Sequence, residues 1–160
     1  MTRVRVLAVA SGGGHWIQLL RLSPAWEGFD CAYVTTHAGL ERDLPSETEA
    51  ARRFYVVPDA NRSRKLHLVR QIAAVGWVVL RERPTVVFST GASVGFFALL
   101  VAKLLGSRTV WLDSIANADE LSLSGKRAGR FADLWLTQWP DLAKVPAGSK
   151  NGPSYHGSVL

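Results

Sequence analysis

The chain has 160 residues, of which 48% are hydrophobic and 20% are charged. This composition excludes a disordered chain, and the length favours one domain, residues 1–160, over two. Nineteen Lys and Arg against 13 Asp and Glu give a formal net charge of +6, which favours acidic partners such as phosphates, anionic lipid or nucleic acid. The only cysteine, Cys31, excludes an internal disulfide and a multi-cysteine zinc site, and we expect it to be a buried apolar residue.

Apolar runs rich in β-forming residues alternate with helical patterns along the chain. The continuous hydrophobicity of the runs predicts strands buried on both faces, and their alternation with helices predicts parallel βαβ units. The predicted fold is therefore α/β, a single Rossmann-like, doubly wound parallel sheet. The predicted strands are residues 4–10, 31–36, 53–57, 85–89, 109–112 and 134–137, and the predicted helices are residues 16–22, 65–83, 94–105 and 126–131.

The first predicted strand ends in a glycine loop, Gly12, Gly13 and Gly14, which His15 follows. Glycines allow a tight turn and close approach of a ligand, and the next helix offers free amides to an anion. A dinucleotide fingerprint would need a third glycine where Ile17 stands, so NAD binding is disfavoured. His15 is a candidate general base because a neutral imidazole at a loop-helix junction can accept a hydroxyl proton. The alternative is that the glycines only form the turn.

A basic segment lies between residues 62 and 83, where six Lys and Arg residues face one acid, Glu82. On a helix, most of the circumference outside the basic stripe is apolar, which is more than one sheet face needs. This pattern predicts contact with an anionic membrane surface or a partner. Nucleic acid is disfavoured, since the chain has no aromatic-interleaved basic groove. The candidate contacts are Arg64, Lys65, Arg70, Trp77 and Arg81.

The loop after the fourth predicted strand contains GASVG, which fits the G-x-S-x-G pattern of a hydrolase nucleophile elbow at Ser93. Asp133 or Asp141, followed by His156, would complete a triad in the right chain order. A turn of small residues at a ligand-facing sheet edge explains the same letters, with Thr90 and Gly91 as candidate ligand contacts.

The loop after the fifth predicted strand, DSIANADELSLSGK, places Asp113, Ser114 and Asn117 at a strand end, where ligands of such sheets bind. Its SGK lacks the leading glycine and the following Ser or Thr of a phosphate loop, so no Walker motif is present. We expect Ser124 to cap the helix that follows.

Targeting and cofactor signals are absent from the sequence. The N-terminal apolar run lacks the features of a secretion signal, and the longest apolar stretches are shorter than the roughly 20 residues of a membrane-spanning helix. Since no cluster of metal-ligating residues occurs, we expect no metal and no cofactor.

Four segments together resemble a known family: SGGGHWIQLLRL, STGASVG, WLDSIANADELSLSGKRAGRFADLWLTQWPDL and the closing YHGSVL. They resemble the small acceptor-side subunit of split GT-B glycosyltransferases. That family includes bacterial capsule and exopolysaccharide subunits and the eukaryotic membrane-recruiting subunit of the dolichol-linked N-acetylglucosamine transferase. The chain is more distantly similar to the amino-terminal half of the peptidoglycan enzyme that glycosylates a lipid-linked muramyl peptide.

The resemblance implies an N-terminal-type GT-B domain that is nearly inactive alone. A catalytic partner subunit would carry the nucleotide-sugar site, and this chain would bind a polyprenyl-diphosphate-linked saccharide at the cytoplasmic face of the inner membrane, peripherally. His15 would be the catalytic residue of an inverting transfer from a UDP-sugar, where it would deprotonate the acceptor hydroxyl or steady the acceptor diphosphate. We expect Glu in the eukaryotic relatives where Asp113 stands, and we expect no counterpart here of their amino-terminal anchor helix. By position, Gly13, Gly14, Thr90, Gly91 and Ser114 match cleft loops of the family. Together with the residues that the loops themselves indicate, the candidate substrate-binding residues are Gly12, Gly13, Gly14, Thr90, Gly91, Ser93, Asp113, Ser114 and Asn117.

Two alternatives from other classes remain. One is a self-sufficient serine hydrolase that uses Ser93. The other is a noncatalytic scaffold that recruits a transferase.

Overall fold

A computed structural model of the chain describes residues 4–44, 53–60, 65–143 and 152–159. The strands are β1 (Arg5–Val9), β2 (Asp30–Thr35), β3 (Arg53–Val56), β4 (Val86–Ser89), β5 (Arg108–Leu112), β6 (Leu134–Thr137) and β7 (Ser154–Tyr155). The α-helices are α1 (Gly14–Arg21), α2 (Lys65–Glu82), α3 (Ala92–Leu104) and α4 (Leu123–Ala128). Short 3-10 helices span Ser23–Trp26, Ala38–Asp43 and Pro140–Leu142.

The seven strands form one parallel sheet in the order β3-β2-β1-β4-β5-β6-β7. This arrangement confirms the predicted Rossmann-like α/β fold. The strand order reverses direction between β1 and β4, whose last residues, Val9 and Ser89, are in register. The loops that follow these two strands therefore leave the sheet side by side at its carboxyl edge, where parallel sheets of this kind bind ligands.

Apolar layers cover the two faces of the sheet. One layer packs α2, α3 and α4 against the strands around Leu7, Val87 and Trp111, all fully buried. The other packs α1 against β1 and β2 through Trp16 and Leu19. Burial on both faces explains the continuous apolar runs of the strands, because neither face is left to alternate with water.

The predicted elements are confirmed, with boundary shifts of at most three residues. The fourth helix begins at Leu123 and ends at Ala128, whereas the sequence pattern predicts residues 126–131. The expected cap at Ser124 is wrong: Ser122 caps this helix, since its hydroxyl accepts a hydrogen bond from the Gly125 amide at 2.8 Å. Strand β7 has two residues, too few for an apolar pattern to reveal it.

Cys31 is buried in β2, as expected. Burial, with a smaller contribution from Asp30, raises the pKa of its thiol to about 11. The thiolate is the reactive form, and at neutral pH it is about one part in 10⁴ of the total at this pKa. We expect the native protein to resist a disulfide reagent such as Ellman's reagent and to release one equivalent of chromophore in denaturant. Equal rates in the two conditions would show that the thiol is accessible in the fold.

Candidate active site

His15 and Thr90 join the loops that follow β1 and β4 through two reciprocal hydrogen bonds. The imidazole Nδ1 of His15 lies 2.9 Å from the Thr90 carbonyl oxygen. In return, the Thr90 hydroxyl donates to the His15 carbonyl oxygen at 2.6 Å. The half-buried ring is therefore anchored across the sheet edge rather than free to rotate in solvent.

The contact with Thr90 determines which nitrogen of His15 carries the proton. A carbonyl oxygen only accepts hydrogen bonds, so Nδ1 must be the donor. In the neutral ring, Nε2 then has a free lone pair. This is the tautomer that a general base needs, because Nε2 can accept a proton from an incoming hydroxyl.

Gly91 leaves the space that the His15 ring occupies. A Cβ built on Gly91 would lie 2.5 Å from both Cε1 and Nδ1 of the imidazole. The backbone of Gly91 has φ 140°, and the next residue, Ala92, has φ 65°. Both the close contact and the left-handed backbone favour glycine at position 91, so this glycine positions the histidine.

An open cleft of about 420 Å³ lies at the carboxyl edge of the sheet, between the loops that follow β1, β2 and β4, and His15 is not among its lining residues. Gly13, at φ 75°, and Gly14 form the exposed start of α1 next to it. Of the predicted site residues, Gly12 and Ser93 line the cleft. Thr90 and Gly91 directly precede the lining residue Ala92 in the chain, and His15 follows Gly12 by three positions. The lining residues are Ser11, Gly12, Thr36, His37, Asp59, Ala60, Ala92, Ser93 and Ser124.

Asp113 holds the loop after β5 in place. Its side chain is 2% exposed and accepts hydrogen bonds from the Trp111 indole and the Asn117 amide, both at 3.2 Å. The backbone amide and the hydroxyl of Ser122 donate to the same carboxylate. Because the described partners of both carboxylate oxygens are protein groups, this geometry supports a positioning role, and direct substrate contact by Asp113 and Asn117 stays a prediction.

Two buried glutamines connect this loop to α1 and to the C-terminal segment, and the sequence patterns did not reveal them. Gln18 donates to the Ser114 hydroxyl at 3.3 Å and accepts from the Ile115 amide at 3.1 Å. Gln138 donates to Gln18 at 2.6 Å and to the Asp113 carbonyl at 2.9 Å, and it accepts from the Val159 amide at 2.8 Å. Ser114 thus belongs to a buried network behind the cleft.

Ser93 lacks the surroundings of a hydrolase nucleophile. Its hydroxyl donates to the amide oxygen of the buried Gln71 at 2.8 Å, and an amide oxygen cannot accept the serine proton as a base does. The strained residue of the turn is Ala92, not the serine. Asp133 hydrogen-bonds Lys103 and the Thr109 amide at the amino end of β5, away from the carboxyl edge. These positions do not favour the hydrolase alternative.

We therefore expect Ser93 not to react with a fluorophosphonate probe, because the partners of its hydroxyl among the described residues, Gln71 and the Ala60 carbonyl, are not bases. Mass spectrometry of probe-treated native protein checks this directly, with probe-treated Ser93→Ala as the matched control. Stoichiometric labelling of native protein that Ser93→Ala abolishes would restore the hydrolase alternative.

Helix α2 exposes apolar and basic side chains together on the side away from the sheet. Leu66 is 70% exposed and Trp77 56% exposed, and the Arg81 guanidinium lies 5.4 Å from the centroid of the Trp77 ring. The predicted contact Arg64 lies outside the described residues. Within the described ranges, no helix has the length and hydrophobicity to cross a bilayer. The basic apolar face consists of Lys65, Leu66, Val69, Arg70, Trp77, Leu80 and Arg81.

The strand order, the parallel register and the cleft at the carboxyl edge define a Rossmann-like domain of the type found in GT-B glycosyltransferases. Residues 6–155 match the family described as "Oligosaccharide biosynthesis protein Alg14 like". The chain therefore belongs to the Alg14 family.

Curated relatives carry the name "UDP-N-acetylglucosamine transferase subunit ALG14". The chain is 31% identical to the one from Eremothecium gossypii, over 87% of this chain and 74% of the relative. It is 26% identical to the one from Mus musculus, over 87% of this chain and 77% of the relative.

Solved structures with low sequence identity share the fold. Acinetobacter baumannii MurG superimposes with a TM-score of 0.72 at 15% identity, over 97% of this chain and 45% of that one. UDP-N-acetylglucosamine 2-epimerase from Rickettsia bellii has a TM-score of 0.68 at 14% identity, over 98% of this chain and 45% of that one. The chain thus spans less than half the length of these two proteins.

Proposed function

We propose that the chain is the acceptor-binding, membrane-associating subunit of a two-chain inverting glycosyltransferase. The proposed donor is a UDP-sugar, UDP-N-acetylglucosamine by analogy with the named relatives, and the proposed acceptor is a polyprenyl-diphosphate-linked saccharide. The observation that carries the proposal is that the anchored His15 lies at the same edge of the sheet as a polar cleft, in a chain of the Alg14 family.

A second chain would bind the nucleotide sugar. The relatives are named as subunits, and this chain matches less than half of the MurG fold, which supports a site completed between two polypeptides. The partner is thus a catalytic glycosyltransferase subunit, and the sugar passes across the junction. Little activity is expected from either chain alone.

His15 would act as the general base of the transfer. Its Nε2 takes the proton of the acceptor hydroxyl while that oxygen forms a bond to the anomeric carbon of the donor sugar. The bond from the anomeric carbon to the UDP oxygen breaks on the opposite face, so the configuration inverts and UDP leaves with the bonding electrons. The hydrogen bond from Nδ1 to Thr90 stabilises the imidazolium formed in this step.

The acceptor diphosphate would lie against the glycine loop. The first amides of α1, from Gly14 and His15, have no carbonyl partner within the helix, and the helix dipole is positive at this end. No side chain caps α1 at Gly13, which leaves the amides accessible to phosphate oxygens.

The basic apolar face of α2 would contact the membrane that holds the acceptor lipid. Exposed Leu104 and Leu105 at the end of α3 extend its apolar area, and Arg83 and Arg108 line a groove of about 600 Å³ beside Leu80. Apolar side chains among cations suit the interface of an anionic bilayer. We place the protein peripherally on the cytoplasmic face of the inner membrane, in capsule or exopolysaccharide synthesis, on the resemblance of its motifs to those bacterial subunits.

Binding by the isolated chain tests this division of labour. Calorimetric titration with a short-chain polyprenyl-diphosphate saccharide in detergent is expected to show saturable heat, and titration with UDP-N-acetylglucosamine none. The noncatalytic scaffold predicts no binding of either compound. Tight binding of the nucleotide sugar alone would contradict the proposal, because it would place the donor site on this chain.

A further inference from the structure

A second histidine, His37, lies on the cleft and was not singled out by any sequence motif. It follows β2, and its exposed ring packs over Gly12 in the glycine loop. A Cβ built on Gly12 would lie 2.3 Å from Cδ2 of that ring. Since the backbone of Gly12 is not in the left-handed region, the position favours glycine because the imidazole occupies the space of a side chain. The glycine loop thus has His15 on one side and His37 on the other.

The two histidines differ in what their ring nitrogens do. His15 uses Nδ1 to hold Thr90. His37 has no hydrogen-bond partner on either ring nitrogen among the described residues, and its ring lies against Gly12. A positioned imidazole with free polar atoms on a cleft wall is suited to donate a hydrogen bond to a ligand.

The composition of the cleft wall indicates the kind of ligand. Among the described residues, the lining includes the hydroxyls of Ser11, Thr36, Ser93 and Ser124 and one carboxylate, Asp59, and it includes neither Lys nor Arg. Phosphate groups favour cationic partners, and a carboxylate repels them. Sugar hydroxyls both donate and accept hydrogen bonds, and they match a wall of neutral hydroxyls with one carboxylate and one imidazole. The volume, about 420 Å³, is within the range of small-molecule clefts.

We propose that His37 and Asp59 bind the saccharide of the acceptor. His37 donates to one sugar hydroxyl, and Asp59 accepts from another. One oxygen of Asp59 already accepts from the Ala60 amide at 2.9 Å, which fixes the carboxylate at the edge of the cleft. The inference rests on the proposed function and deepens it, because it separates sugar recognition at these two residues from proton transfer at His15.

Steady-state kinetics of the reconstituted two-chain enzyme test the inference, with the lipid-linked acceptor varied. His37→Ala is expected to raise the acceptor KM about tenfold, as for one lost hydrogen bond to a ligand, with kcat within about twofold and the donor KM unchanged. His37→Gln keeps an N–H donor and should recover most of the loss. Glu41→Ala, at an exposed position in the next 3-10 turn, is the matched control.

A double-mutant cycle with Gly12 separates ring placement from direct contact. Gly12→Ala should raise the acceptor KM alone, because the new methyl group displaces the His37 ring, and should add nothing to His37→Ala. An unchanged KM in His37→Ala, or a full additional effect of Gly12→Ala in that background, overturns the inference. An inactive wild-type pair would instead count against the proposed function, so the two failures are distinguishable.

Discussion

Replacing His15 with alanine is expected to lower kcat of the reconstituted pair by about 10²- to 10⁴-fold, the usual contribution of a general base. The acceptor KM should change much less, because the imidazole accepts the proton in the transition state and contributes little to ground-state binding of the acceptor. Single-turnover transfer from radiolabelled UDP-N-acetylglucosamine measures the effect without interference from product release.

Two further variants keep this result interpretable. His15→Gln retains an N–H group that can donate to the Thr90 carbonyl but has no basic nitrogen, so it should fold normally and remain as slow as the alanine variant. His156→Ala removes an exposed imidazole after β7 and should leave kcat unchanged. Wild-type rates in His15→Gln would contradict the assignment of His15 as the base.

Replacing Trp77 and Leu80 together with serine is expected to lower affinity for anionic vesicles by about 100-fold. Both side chains are more than half exposed in the protein, so their apolar area is free to enter a bilayer. We expect each side chain to contribute about a factor of ten to the affinity for vesicles. Flotation with vesicles of phosphatidylglycerol and phosphatidylcholine measures the partition. Activity toward a short-chain acceptor in detergent should be retained, because the substitutions lie away from the cleft.

The control for the membrane prediction is Phe29→Ser. Phe29 is an exposed aromatic residue just before β2 and does not belong to the basic apolar face of α2, so its loss should not alter vesicle binding. Arg70→Gln with Arg81→Gln should weaken binding to anionic vesicles and reduce its salt dependence. If the serine pair binds vesicles as wild type does, the basic apolar face is not the membrane contact.

Much of the fold was predictable because both faces of the sheet are buried. Strand β6 has the predicted bounds, β4 and β5 differ from the prediction by one residue at one end, and β1 differs by one residue at each end. The bounds are this close because the strands are continuous apolar runs that end where the sequence turns polar or small. The predicted bounds of the fourth helix were three residues too late because SLSGK contains two serines that could cap the helix. The hydrogen bonds between Ser122 and Asp113, which only the folded chain forms, select the first serine as the cap.

The site was predictable only where the composition of a loop differs clearly from that of its surroundings. The glycine loop with His15 and the turn at Thr90 were found because small residues follow buried strands. His37 was missed, since a histidine after a strand carries no pattern until folding places it over Gly12. Gln71 shows the opposite case: it shares the polar stripe of α2 in a helical projection, yet it is fully buried, hydrogen-bonding the Pro58 carbonyl and Ser93.

The most direct test of the account is sugar transfer by this chain, its catalytic partner and their mixture. Radiolabelled UDP-N-acetylglucosamine is supplied with membrane lipid extract, and incorporation into the lipid-linked fraction is counted. We expect transfer in the mixture only, and we expect it to be lost when the His15→Gln variant replaces the wild-type chain. Equal transfer by the partner alone would contradict the account, because the acceptor site and its base would then lie outside this polypeptide.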